Sequence, residues 1–398
     1  MTNEGPNDIV HSVKIIPYSK QKIDSSDLRA VRKTLSSALI TQGPKADEFE
    51  RAIAKFCGAK YAVAVSNGTA ALHLAALASG LKKGDEAITS PITFLATANC
   101  VLYAGAQVVF ADVDYDTVNI DPEAIQKVLT KKTKVILPVH FAGLPAKMEE
   151  IHKIAKKRKL VVIEDASHAL GAQYRGHKVG SCAHSDMAVF SFHPVKHITT
   201  GEGGCITTNS KIYYEKLKAL RSHGVYRNQD VQKKRGGWYY EMKELGFNYR
   251  ITDFQCALGI SQLKKINQFV DRRIDIAEEY NELFSDFRHL LRVPPQRNTG
   301  EKHVWHLYLL RLKLNKPSAV RKRLFDYLKS NRINPQVHYI PIYNQPYYQK
   351  MLNGKRSKCV NAERYYDEVM SLPIFPTMTQ AELFKTVSTV KRFLTQKL

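Results

Sequence analysis

The chain has 398 residues, 44% hydrophobic and 24% charged, and its 60 Lys and Arg against 37 Asp and Glu leave a net charge of +23. This balance excludes disordered and fibrous classes, and the length suits two domains with an ample core. The most apolar stretch, 61–81, carries Asn67, Gly68, Thr69 and His73 and is too polar for a bilayer span, and residues 1–12 lack the basic and apolar run of a secretory leader.

In chain order, YAVAV (61–65) predicts a strand that runs into a small-residue helix from Thr69 to Ser79. EAIT (86–89) is the next strand, a helix follows around Leu95–Tyr103, and QVVFADV (107–113) is strand again. Further strands are expected at 134–141, 160–165, 187–192 and 203–208. Their continuous Val, Ile and Ala runs, without strict alternation, indicate strands covered on both faces and hence a largely parallel sheet. Beyond about residue 250 the texture changes: 251–284 reads as one long helix with apolar spacings of three and four. HLYLLRL (306–312) alternates as a strand, 320–330 is helical, and Pro335 keeps 333–339 extended. The expected fold is α/β, with a large domain at 1–262 built on a mostly parallel sheet and a smaller C-terminal α+β domain at 263–398. The six cysteines form no CxxC pair, which suits a reducing compartment and gives no zinc pattern, so no metal site is expected.

Three segments carry chemistry. SNGTAAL (66–72) lies where a strand becomes a helix; N–H groups at a helix N-terminus attract an anion, Gly68 lets it approach, and Thr69 adds a hydroxyl. A plain cap by Ser66 or Asn67 is the simpler alternative. VVIEDASHALGA (161–172) ends an apolar strand in Glu164 and Asp165, at the edge where open α/β sheets place ligands, with His168 three residues on. FSFHPVKHITTGEGG (190–204) delivers Ser191 from a strand, turns at a proline and presents Lys196 between Val195 and His197. A lysine among apolar and cationic neighbours loses basicity and becomes a nucleophile for carbonyls. Singly, each has a bland reading as a cap, a solvated side chain or one of many lysines. Together, an anion nest, a carboxylate and a lysine at strand ends of one sheet are the parts pyridoxal phosphate (PLP) needs. The nest and Ser191 would take its phosphate, Asp165 would keep its ring nitrogen protonated, and Lys196 would form the Schiff base.

These segments, with ITQGPKADEFE (40–50), PITFLATAN (91–99), RSHGV (221–225) and GFNYRITDFQCALGISQL (246–263), resemble the DegT/DnrJ/EryC1/StrS sugar aminotransferases, in order and over nearly the whole chain. The resemblance implies a fold-type I PLP-dependent transferase. It gives Lys196 the Schiff-base role, sets Asp165 on the ring nitrogen and His168 against the ring hydroxyl, and stacks Phe94 on the ring. It implies phosphate contacts from Gly68, Thr69 and Ser191, joined by Asn248 from a second subunit, hence a homodimer with composite active sites. Sugar-nucleotide contacts are implied at Tyr18, at Ala38, Leu39, Ile40 and Thr41, at Arg250, and at Gln336, Val337, His338 and Tyr339. PYS (17–19) and QVHYIPIY (336–343) are similar to the members that aminate C4 of a UDP-linked 4-keto-6-deoxy-N-acetyl hexose for pseudaminic acid, with L-glutamate as donor. Members acting on dTDP- or GDP-linked sugars share the cofactor residues and stay open as alternatives.

A nucleic-acid-binding regulator is the competing class that +23 allows, but KIAKKRK (153–159), QKKRGG (232–237) and RKR (321–323) are spread over helical faces rather than gathered on one surface. The expectation is a cytoplasmic enzyme that binds neither nucleic acid nor membrane.

Overall fold

The computed structural model describes residues 15–226, 229–295, 300–354 and 358–396; the stretch read for a leader, 1–12, lies outside the described residues. Seven strands form the main sheet: β1 (Tyr61–Val65), β2 (Glu86–Thr89), β3 (Gln107–Phe110), β4 (Thr133–Leu137), β5 (Val161–Asp165), β6 (Met187–Ser191) and β7 (Gly204–Thr208). Their order is β1-β7-β6-β5-β4-β2-β3. The pairs among β2 to β6 are parallel, and β7 alone runs antiparallel to both its neighbours, β1 and β6. Consequently β1, β5 and β6 end at the same edge of the sheet, and β7 begins there.

The sheet is covered on both faces, which is why its strands read as continuous apolar runs. In β1, Ala62 and Ala64 belong to one apolar cluster with Phe49 and Phe190, while Val63 and Val65 belong to another with Leu72 and Val189. The strand expected over 134–141 stops at Leu137, because Pro138 has no N–H to continue the ladder. The single helix expected over 251–284 is two, Asp253–Leu263 and Ile266–Leu283. At the break, Lys265 leaves helical geometry and its Nζ reaches Asp24 at 2.8 Å and Asp27 at 2.7 Å, tying the bend to the helix Ser25–Leu35.

The C-terminal part carries its own antiparallel sheet, Leu291–Arg292, Tyr308–Leu312 and Val369–Leu372, with helices Pro317–Ser330 and Gln380–Gln396. We propose a division into 1–262 and 263–398. Residues 16–18 cross to the C-terminal side: Ile16 bridges Ile333, and the Tyr18 carbonyl accepts from the Ile374 N–H at 3.0 Å. Among the described residues no helix is long and apolar enough to cross a membrane, and all six cysteines are buried free thiols.

Candidate active site

Where β1, β5 and β6 end, the structure has a cavity of about 730 Å³, walled among others by Tyr18, Gly68, Thr69, Phe94, Thr97, Asp165, His168, Ser191, Lys196, His338 and Tyr339. Its first wall is the N-terminus of the helix Gly68–Ala78. Asn67 caps that helix, its Oδ1 accepting from the Ala70 N–H at 2.8 Å. The earlier first-turn N–H groups, those of Gly68 and Thr69, have no intrahelical acceptor and suit an anion. The turn is pressed onto the sheet. A Cβ on Gly68 would lie 2.8 Å from Ser191 Cβ, and one on Gly204 would lie 2.4 Å from the Asn67 carbonyl oxygen. Gly204 stands in register between Val65 and Ser191, so the two halves of the nest are set from its two sides. Gly204→Ala is therefore expected to push the Asn67–Gly68 turn away, costing about 1–3 kcal/mol as an overpacking change. A lower thermal midpoint together with weaker binding of inorganic phosphate checks this; an unchanged phosphate affinity refutes it.

Asp165 ends β5 and is 4% exposed. Thr97 Oγ1 donates to its Oδ2 at 2.6 Å and the Ser167 N–H to its Oδ1 at 3.1 Å. With the Thr97 proton committed to the carboxylate, the 2.8 Å contact between the Thr93 and Thr97 hydroxyls has Thr93 as donor. Asp165 is thus held as an acceptor aimed from a strand end. Thr97 and Thr93 escaped the sequence reading: they sit inside the quoted PITFLATAN segment, but nothing local to it reveals a partner 68 residues away.

Lys196 lies in the loop after β6, with its N–H on the His193 carbonyl at 2.9 Å and its side chain in the cavity wall. Burial lowers its pKa from the ordinary 10.5 to about 8; the Asp165 charge pulls it up and the Arg273 charge pushes it down. A neutral, nucleophilic amine is therefore available near neutral pH. His168 is buried and its pKa falls well below the usual imidazole value, through burial first and then the Lys196 charge. It is a neutral ring here. Nε2 lies 3.4 Å from the Tyr339 hydroxyl, and Nδ1 has no partner among the described residues. Phe94, 57% exposed at the start of the helix Leu95–Tyr103, stands at the mouth with its ring 6.2 Å from that of Tyr339. His338 is fixed by Ser371 Oγ on Nδ1 at 2.7 Å, and its carbonyl accepts from the Tyr365 hydroxyl at 2.7 Å.

Eight of the expected contacts lie outside this chain's own cavity. Ala38, Leu39, Ile40 and Thr41 are exposed, and backbone pairing ties them away from it: the Ile40 carbonyl accepts from the Asp253 N–H at 2.9 Å and Thr41 bridges Thr252. Asn248 bridges Ser222, and Arg250 precedes that same 252–253 tie; neither lines the cavity. Gln336 is spent on reciprocal backbone bonds with Ser371 at 3.1 and 2.7 Å, and Val337 is likewise not in the wall.

The donor set fits pyridoxal phosphate. A glycine cradle that a Cβ would fill suits its phosphate, a buried carboxylate suits a protonated ring nitrogen, the orphaned His168 Nδ1 suits a ring hydroxyl, and a lysine of lowered basicity suits an aldehyde. The fold and sequence have known relatives. The chain is 40% identical over 367 residues to UDP-4-amino-4,6-dideoxy-N-acetyl-beta-L-altrosamine transaminase of Campylobacter jejuni, spanning 92% of this chain and 93% of that one. Helicobacter pylori PseC, an aminotransferase involved in the biosynthesis of pseudoaminic acid, matches with a TM-score of 0.87 at 34% identity, over 95% of this chain and 99% of that one. A putative sugar aminotransferase of Streptococcus pneumoniae, solved in a PLP form, matches with a TM-score of 0.87 at 27% identity, over 96% of this chain and 100% of that one. The model of the DegT/DnrJ/EryC1/StrS aminotransferase family matches residues 21–391, and the chain belongs to that family.

Proposed function

We propose that this enzyme moves an amino group from L-glutamate to C4 of a UDP-linked 4-keto-6-deoxy-N-acetyl hexose, the aminating step toward pseudaminic acid. The observation that carries the reading is the meeting of Lys196, Asp165 and the Gly68–Thr69 helix terminus in one cavity. The choice of sugar is supported by the likeness to the Campylobacter jejuni and Helicobacter pylori proteins.

The cofactor is pyridoxal phosphate, which when bound supplies an electron sink that makes the carbon bearing the amino group acidic. Gly68, Thr69 and Ser191 would hold its phosphate, Asp165 its ring nitrogen, His168 its ring hydroxyl and Phe94 its face, and Lys196 would be its covalent anchor. Thr97 and Ser167 hold the Asp165 carboxylate oxygens by hydrogen bonds and aim them, so a positive ring nitrogen finds a fixed counter-charge. Lys196 Nζ takes the proton from the α-carbon of glutamate in the first half-reaction. In the second it delivers one to C4 of the sugar. Neutral His168 neither adds charge beside the lysine nor competes for its proton.

The working unit in this reading is a homodimer with composite sites, in which Asn248 and Arg250 of one protomer complete the cavity of the other. The exposure of Leu39 and Ile40 beside that segment supports an interface there. Tyr18, residues 38–41, His338 and Tyr339 then serve the sugar nucleotide. A cytoplasmic setting would keep the six cysteines as thiols.

Incubating the protein with cofactor, L-glutamate and UDP-, dTDP- and GDP-linked 4-keto-6-deoxy sugars tests the substrate, with the amino product read by mass. The UDP-N-acetyl sugar is expected to lead in kcat/KM by roughly tenfold or more, the scale set by one specific polar contact. A dTDP- or GDP-sugar in first place overturns the choice of carrier while leaving the transaminase reading intact.

A further inference from the structure

Arg273, on the helix Ile266–Leu283, is 0% exposed. Among the described residues its guanidinium bonds to neutral oxygens only: the carbonyls of Trp305 and His306 at 3.3 Å each and of Ile374 at 2.9 Å, and Ser19 Oγ at 3.4 Å. Its Nε has no partner among them. A buried cation without a counter-charge is costly, and an apolar side chain of similar volume would pack the same space at lower cost. Packing alone therefore does not account for it.

Its contacts lead to the lysine loop from both flanks. Ser19 Oγ, which accepts from Arg273, donates to the Val195 carbonyl at 3.2 Å. On the other flank the His197 Nε2 meets the Val304 carbonyl at 2.9 Å, immediately before the Trp305 and His306 carbonyls that Arg273 holds. Val195 and His197 enclose Lys196. We propose that Arg273 is a positioning residue for Lys196, framing its loop through the Ser19–Val195 relay on one side and the 304–306 segment on the other. This rests on Lys196 being the reactive amine.

The frame has an electrostatic consequence. The groups acting on the Lys196 amine are Asp165, Arg273 and the imidazoles of His168, His197, His306 and His338. Burial lowers His197 and His338 to about 3 and takes His168 and His306 well below the ordinary value, so all four are neutral near pH 7. Asp165 and Arg273 are then the charges that set the amine, and they act in opposite directions.

The test uses Arg273→Met, Ser19→Ala and Ser19→Thr. Labelling of Lys196 by trinitrobenzenesulfonate is followed in the cofactor-free protein from neutral to alkaline pH and quantified by peptide mass. In Arg273→Met the labelling midpoint rises from about 8 toward the ordinary lysine value. In Ser19→Ala the charge stays, so the midpoint stays; kcat falls roughly threefold to tenfold with sugar KM unchanged, the size of one lost hydrogen bond, and Ser19→Thr restores it. A wild-type midpoint in a folded Arg273→Met protein overturns the proposal, and so does a wild-type kcat in Ser19→Ala, which decides alone if Arg273→Met does not fold. Covalent cofactor on a Lys196→Ala protein would instead sink the functional reading beneath it.

Discussion

Lys196→Ala is expected to abolish covalent attachment of pyridoxal phosphate and to lower kcat by about 10⁴-fold or more, because one change removes both the covalent anchor and the general base. Borohydride reduction followed by peptide mapping gives the direct readout: the wild type carries the cofactor on the peptide containing Lys196, and the variant carries none. The fold should survive, since Lys196 lies in the cavity wall rather than in either apolar cluster. Lys196→Arg separates charge from chemistry. It keeps a cation in the wall but is not a nucleophile at any accessible pH, so it should be as inactive as the alanine variant. Phosphate binding at the Gly68–Thr69 terminus should persist in both, which distinguishes a lost reaction from a lost site. A reduced adduct on a different lysine would sink the assignment.

The parts of this site legible in the sequence are those whose geometry is local. A strand that ends in Glu164-Asp165 places a carboxylate at a sheet edge without any knowledge of its neighbours. A strand followed by Asn67-Gly68-Thr69 announces a helix terminus, and Lys196 stands out because a proline turn and small polar residues replace the charged helical face a surface lysine usually has. The apolar runs of β4 and β5 likewise exposed the sheet, because burial on both faces leaves its mark in one segment. What escaped depends on contacts between distant segments. Thr97 matters through Asp165, Ser19 through Val195 and Arg273, and no periodicity links them. The break at Lys264–Lys265 escaped for the same reason, since apolar spacing continues across it while ion pairs to Asp24 and Asp27 hold the bend. The antiparallel course of β7 was invisible too: GCITT reads like any covered strand, and its direction follows from the short connection back from the lysine loop.

Asp165→Asn is the second substitution with a large expected effect, and it isolates charge from shape. Asparagine is isosteric; its side-chain oxygen can still accept from the Ser167 N–H, and the Thr97 hydroxyl can turn to accept from the new amide. Folding and covalent attachment at Lys196 should therefore persist. What disappears is the fixed negative charge that favours a protonated ring nitrogen. Losing such a preorganised partner costs roughly 10²–10³-fold in kcat. A second consequence follows at the lysine. Asp165 favours the ammonium form of Lys196, so its removal leaves burial and Arg273 unopposed, and the labelling midpoint of the cofactor-free protein should move below about 8. Arg273→Met is expected to move the same midpoint upward. Opposite shifts from two residues of opposite charge acting on one amine are hard to produce by general damage to the fold, so the pair tests the electrostatic account directly. An Asp165→Asn enzyme with kcat within a few-fold of wild type and an unmoved midpoint would remove Asp165 from the mechanism.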